Sequence, residues 1–414
     1  MSDSTSARTI LCIASFFKGN EFIRECRRQG ARVVLLTREK LLDKDWARES
    51  LDELLAIPGR TSVSAYLMAA AHVARTRQVS RVVALEEYDI VTAAHIREHL
   101  CVTGMGTTTA RCFQDKLAMR AKGHALGLPQ PEFVQLVNYE AINRFLKQNT
   151  PPWMLKPRIG ASSMGMRKLK HPEEVWNAIR ELDAREELHE RSDFHLLEKY
   201  EPGNVYHVDS LIVEGKIVFT NVAQYGAPPF DIAHVGGVTT SGTVPYASKT
   251  RKDLLALNAK LLTGFCIDRG VTHAEFIERA DVNSARDRFY FLEVAARVGG
   301  AYTAETIEAA TGINVWREWA KIEFATSQHP YELPKTRKDY AGIAMSLARQ
   351  ENPDTSNYTD AEIVFRIPKR RHVGLIIRSS RHKRIVELLD QYVARFNQDF
   401  TAVLPAEERA EQHL

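Results

Sequence analysis

The sequence predicts a mixed α/β and α+β architecture in three parts: an open α/β lobe at residues 1–105, a strand-rich α+β body at 106–330 and a small α+β lobe at 331–414. Three observations predict it. Short apolar runs alternate with helical patterns up to Leu100, strands predominate from Pro152 onward, and after residue 330 a few short strands give way to one helix.

Residues 9–15 read as a buried strand, 21–30 as a helix closed by glycine and 31–37 as a second strand, which makes a βαβ unit. An alanine-rich helix follows at 64–75, then a strand at 81–85 and a helix at 90–99. The glycines and threonines of 104–109 break this pattern, and 110–127 is predicted as one helix ending in glycine. Predicted strands then run at 153–157, 166–169, 195–200, 206–213, 216–223, 271–277 and 289–294, interrupted by helices at 172–181 and 249–267. The last part holds strands at 362–367 and 373–379 and a helix at 382–397.

Hydrophobic residues make up 44% of the chain and charged ones 26%, the balance of a soluble enzyme rather than of a disordered or membrane protein. Lysine plus arginine number 56 against 52 acidic residues, too small an excess to imply a nucleic-acid partner. The basic run Lys369-Arg370-Arg371-His372 reads as a solvated strand edge or an anion contact as readily as a nucleic-acid patch. The cysteines, Cys12, Cys26, Cys101, Cys112 and Cys266, show no CxxC or Cys/His spacing, so neither a disulfide framework nor a zinc site is expected and a reducing cytoplasm fits. No apolar run reaches the roughly 18 residues of a membrane span, and no membrane partner is expected.

Four constellations occur in a fixed order. Lys116, taken alone, reads as a surface lysine. Lys156 ends the apolar strand Trp153-Met154-Leu155 and shares a face with Met154, where a buried ammonium needs an anion. The loop after it, Gly160-Ala161-Ser162-Ser163-Met164-Gly165, reads either as a plain hairpin turn or as a loop whose N–H groups close on phosphate oxygens. In Leu197-Glu198-Lys199-Tyr200-Glu201, an extended backbone can offer a purine edge its hydrogen bonds while Tyr200 packs the ring; a strand leaving the core reads equally well. Finally, Glu275 and Glu293 lie on predicted antiparallel neighbours. Alternation with Phe289 and Phe291 predicts that Glu293 points to the face these aromatics bury. Two such carboxylates suit Mg²⁺ between phosphate oxygens. Arg297, four residues on, reads as an anion contact or as half of a structural ion pair.

Together, Lys116, Lys156 with its glycine loop, Glu198-Lys199-Tyr200-Glu201, and Glu275 with Glu293-Val294-Ala295-Ala296-Arg297 resemble the ATP-grasp superfamily in order and spacing, over roughly residues 5–330. The type resembled is the carboxylate-amine ligase, L-amino-acid ligases included, and the ATP-binding half is also similar to biotin carboxylase. The resemblance implies ATP clamped between two α+β subdomains with Mg²⁺ or Mn²⁺. It implies that Lys116 and Lys156 bind phosphates under a loop containing Gly160, Ser162, Ser163 and Gly165. The backbone of Lys199 and Glu201 would meet the adenine, with Glu198 beside its amino group and Tyr200 against the ring. Glu275 and Glu293 would ligate the metal, and Arg297, with Lys156, would serve the phosphoryl transfer. Two positions depart from the pattern: Ala295 stands where a metal-binding asparagine is usual, and Val205 where an acid usually meets the ribose, which leaves Asp209 or His207 as substitutes. The segment 228–238 resembles the substrate side of these ligases, and Asp231, His234, Gly236 and Gly237 join Arg297 as expected substrate contacts.

The expected reaction activates a carboxylate as an acyl phosphate and joins it to an amine, with small-molecule partners and a homodimeric assembly. Its rivals are a carboxylase that phosphorylates bicarbonate and a non-catalytic nucleotide-binding module. Against the first, no biotin-bearing Met-Lys-Met segment occurs. Ala295 and Val205 favour the second, while the retained lysines, glutamates and Arg297 oppose it.

Overall fold

The computed structural model describes residues 8–58, 62–160, 163–280 and 288–402, and for 233–235 the backbone alone. The amino-terminal lobe runs β1 (Thr9–Ala14), α1 (Asn20–Arg28), β2 (Arg32–Arg38), β3 (Glu53–Ile57), α2 (Val63–Ala74), β4 (Val79–Ala84) and α3 (Ile90–His99). Its strands form one parallel sheet in the order β3-β2-β1-β4. Every residue of β1 is buried. Ile10 and Cys12 pack with Phe22 and Ile23 of α1, while Leu11 and Ile13 pack with Tyr66 of α2 and Ala93 of α3, so a strand covered on both faces reads as an unbroken apolar run. β3 is absent from the predicted strands; it is a half-buried edge of five residues whose apolar run, Leu54 to Ile57, shows no alternation.

The body continues with α4 (Thr107–Arg111), α5 (Lys116–Ala125), β5 (Phe133–Gln135), α6 (Tyr139–Gln148), β6 (Trp153–Pro157), β7 (Arg167–Leu169), α7 (Pro172–Asp183) and β8 (His195–Lys199). The helix predicted over 110–127 is in fact two. Asp115 takes an extended conformation and its carboxylate accepts from the N–H groups of Leu117 at 3.0 Å and Ala118 at 3.4 Å, which starts a new helix at Lys116. The strands of this part form a small antiparallel sheet, β5-β8-β6-β7.

After it come β9 (Gly203–Val213), β10 (Lys216–Tyr225), α8 (Pro229–Val235), β11 (Thr239–Thr243), α9 (Lys249–Phe265), β12 (Gly270–Arg279), β13 (Phe289–Ala295), α10 (Thr303–Thr311), α11 (Val315–Phe324), β14 (Tyr340–Leu347), β15 (Ile363–Arg366), β16 (His372–Ser379) and α12 (His382–Asp399). They build one eight-stranded antiparallel sheet, β13-β12-β9-β10-β11-β14-β16-β15. The boundary predicted near 330 is therefore no break in the sheet: β11 pairs with β14, Ser241 opposite Ile343, and the last three strands extend the body's own sheet. What is local to this end is a core of Leu375, Ile377, Leu388, Tyr392 and Phe396 under α12. α11 lies against α1, with the Trp319 and Phe22 rings 4.8 Å apart, and ties the first lobe to the body.

The small sheet passes to the large one through only Tyr200, Glu201 and Pro202, between β8 and β9. Gly203 opens β9 so close to β12 that a Cβ there would lie 1.9 Å from the Glu278 carbonyl oxygen. Gly203→Ala is therefore expected to destabilise the protein by about 1–3 kcal/mol, measured by urea unfolding, because backbone rather than a flexible side chain must yield.

Candidate functional site

The cleft between the two antiparallel sheets is lined by Lys116, Lys156, Gly160, Ser163, Glu198, Lys199, Tyr200, Glu201, Glu275 and Glu293, over an apolar bed of Met154, Met166, Val205, Ile277 and Leu292. Asp115 organises the lysine side. Besides capping α5 it holds the Arg158 guanidinium through both oxygens, at 3.1 and 2.5 Å, and so ties the start of α5 to the end of β6. Lys116 is buried at the first turn of α5, its Nζ 2.6 Å from the Gly160 carbonyl and 3.3 Å from Glu293. Burial disfavours its charge, but Glu293 and Glu87 together hold its pKa above the ordinary lysine value.

Glu198 is the buried hub of the small sheet. Arg120 of α5 meets one of its oxygens at 2.7 Å and Lys156 meets the other at 2.6 Å. Burial pushes its pKa up, and the two cations more than reverse this, bringing it down to about 2. Arg120 is 1% exposed and was not among the expected site residues. Lys199 gives its N–H to the Glu132 carbonyl at 2.9 Å, so among its backbone groups only the carbonyl is left for an adenine. The Lys168 ammonium sits 3.6 Å over the Tyr200 ring.

On the opposite wall Glu275 and Glu293 are direct cross-strand partners. The alternation reading of Glu293 is corrected here. Phe276 pairs with Phe291 while Glu275 pairs with Glu293, so Leu292 is an extra residue, a bulge that reverses the face. Phe291 stays in the core, and Glu293 turns to the cleft with its side chain 34% exposed. Glu275 accepts from the Tyr225 hydroxyl at 3.0 Å, and His273 stands 3.6 Å away. Burial raises the Glu275 pKa, and the neighbouring His273 together with the hydrogen bond from Tyr225 lowers it below the usual value. Two carboxylates side by side on a cleft wall, oxygen donors only, fit a hard divalent cation.

Arg297 does not line this cleft. It is buried, with Nη2 2.7 Å from Glu87 of the first lobe, Nη1 on the Val298 carbonyl, and Nε without a hydrogen-bond partner among the described residues. Burial works against its charge, but Glu87 and Glu86 keep it firmly protonated. The ion pair expected as the plain alternative for Arg297 thus exists, with Glu87 as the partner. Nothing in Glu86-Glu87-Tyr88 marked it as part of the site, because the contact spans the whole body of the chain.

A family model for the ATP-grasp domain matches residues 149–305, which begin before Lys156 and end beyond Arg297. An L-amino acid ligase from Bacillus licheniformis superposes with a TM-score of 0.74 at 15% identity, over 97% of this chain and 100% of that one. The chain has the ATP-grasp fold. A biotin carboxylase from Campylobacter jejuni, solved as a β,γ-ATP complex, superposes with a TM-score of 0.66 at 15% identity, over 94% of this chain and 91% of that one. In sequence, an L-arginine-specific L-amino acid ligase of Bacillus subtilis is 24% identical over 247 residues, 58% of this chain and 57% of that protein, so the match spans little more than half of that relative.

Within this ATP-grasp cleft several expectations change. Asp209 and His207 share a strand face with Val205, but Asp209 is four residues along, about 13 Å at strand rise. Both are buried under the sheet's polar face and do not line the cleft, so neither substitutes for the missing ribose acid. Gly165 faces the neighbouring cleft behind the loop. Asp231 lines the same cleft as the two lysines rather than a separate pocket. Gly236 and Gly237, at φ of 81° and 131°, end α8 and turn the chain into β11 without lining the cleft. Ser162 and the His234 side chain lie outside the described residues. Ala295 pairs with His273 and is buried.

Proposed function

We propose that the protein is an ATP-dependent ligase that activates a small carboxylic acid as an acyl phosphate and joins it to an amine. The observation that carries the proposal is the opposition of charges across one cleft, Lys116 and Lys156 on one wall and the paired Glu275 and Glu293 on the other. An ATP with its adenine among Met154, Met166, Val205 and Ile277 would place its phosphates between these walls. Lys116 already stands 3.3 Å from Glu293, so a triphosphate enters where an ion pair is ready to exchange partners. Mg²⁺ held by Glu275 and Glu293 would neutralise phosphate charge.

The acid's oxygen attacks the γ-phosphorus and ADP leaves. The amine nitrogen then attacks the acyl carbon, phosphate departs and the amine loses a proton. The chain's contribution is positioning and charge neutralisation. Lys156 can leave Glu198 for a phosphate because Arg120 still satisfies that carboxylate. The likeness to an L-amino acid ligase supports an amino acid as the acid. The likeness to biotin carboxylase favours bicarbonate as the second reading.

The deciding experiment is Mg-ATP-dependent phosphate release with a panel of amino acids, other carboxylates and bicarbonate, with and without hydroxylamine. Hydroxamate formation with particular acids is the expected result. Release with bicarbonate alone would replace the ligase reading by carboxylation, and ATP binding without release on any acid would favour the non-catalytic module.

A further inference from the structure

The polar face of the large sheet continues inward from Glu275. His207 and Asp209 on β9 stand opposite Glu275 and His273 on β12 in strict register, so four polar side chains form a rectangle on one face. Asp209, 1% exposed, takes His273 Nδ1 on one oxygen at 2.8 Å and His207 Nδ1 on the other at 2.7 Å. The far nitrogen of His207 meets the Ser241 hydroxyl at 2.8 Å, and the far nitrogen of His273 faces Glu275 at 3.6 Å.

His207, Asp209 and His273 bring ligand-type atoms within 4.8 Å of one another, which raises the question of a metal. The distances argue for hydrogen bonds. Ligands around a tetrahedral ion at about 2.1 Å would lie about 3.4 Å apart, whereas both imidazole nitrogens approach Asp209 at hydrogen-bond distance.

We propose that Asp209 is a positioning residue: it fixes the His273 ring, and the ring in turn fixes the rotamer of Glu275 for the divalent cation of the nucleotide. A carboxylate at a strand position has free χ angles, and a cleft open to water cannot restrain them. Here the Tyr225 hydroxyl donates to Glu275 at 3.0 Å, His273 Nε2 flanks the carboxylate at 3.6 Å as an ion-pair partner, and Asp209 holds the His273 ring in turn. The loop that follows Arg297 closes the arrangement. Gly299 lies beside the ring: a Cβ there would come 2.8 Å from His273 Nδ1, so a side chain at this position would push the ring from its place.

This inference rests on the reading of Glu275 as a metal ligand, and the test separates the two. Mn²⁺ is titrated into the full chain with ADP, free Mn²⁺ being read by electron paramagnetic resonance, for the wild type, Asp209→Asn, His273→Gln, their double variant and Glu275→Gln. Asp209→Asn is expected to weaken Mn²⁺ binding by roughly ten- to a hundredfold, with metal-free ADP affinity held within about twofold. The double variant is expected to be no weaker than His273→Gln, because the two residues act in series. Independent, additive losses would assign Asp209 a merely structural role and overturn the proposal. Wild-type Mn²⁺ binding in Asp209→Asn with loss in Glu275→Gln would overturn it while sparing the metal reading, and wild-type binding in Glu275→Gln would overturn both. Should Asp209→Asn fail to fold, His273→Gln alone decides: weakened Mn²⁺ binding supports the proposal and unchanged binding refutes it.

Discussion

Replacing Glu293 by alanine is expected to lower Mg-ATP-dependent phosphate release by about 10²–10³-fold or more, the loss usual when a fixed charge aimed at the reacting group is removed. The fold is expected to survive. Glu293 is a third exposed, and its partner Lys116 keeps the Gly160 carbonyl at 2.6 Å and the field of Glu87, so the stability change should stay within about 1 kcal/mol. Phosphate release and urea unfolding on the same preparation check both halves. Activity near that of the wild type would remove Glu293 from the site.

The largest stability effect is expected from Glu198→Gln. It removes the charge that Arg120 and Lys156 share and leaves Arg120 buried without a counter-ion, with Lys156 half-buried at the cleft, a loss of about 3–5 kcal/mol at neutral pH by chemical unfolding. The pH dependence follows from the sign of the shift. The folded carboxyl titrates at about 2, below its ordinary value of 4.5, so the folded state binds fewer protons. Its stabilisation is complete above pH 4.5 and disappears as the pH falls toward 2, so the variant's stability should be flatter across that window. A variant as stable as the wild type at pH 7, with the same acid limb, would show that Arg120 and Lys156 do not depend on Glu198.

Much of the site was legible because its residues keep a local relation to their strands. Lys156 shares a face with Met154, both line the cleft, and Glu275 faces Glu293 across one strand pair, as the order and spacing of these residues predict. Where a local rule was broken the reading failed for an identifiable reason. The bulge at Leu292 inverted the face of Glu293, and the Asp115 cap divided a predicted helix and so put Lys116 at a helix start.

By itself, then, the sequence determined the strands and helices that carry the candidate residues and the resemblance from which the ATP-grasp fold was expected, since alternation, glycine stops and residue order act over a few neighbours. Only the tertiary structure decided which charges meet. Glu87 reaches Arg297 from the first lobe, Arg120 reaches Glu198 from α5, and Asp209 turns inward to two histidines instead of outward to a ribose. Each of these contacts joins elements whose proximity depends on how sheets and lobes pack, and a buried charge takes whichever partner that packing brings within hydrogen-bond reach.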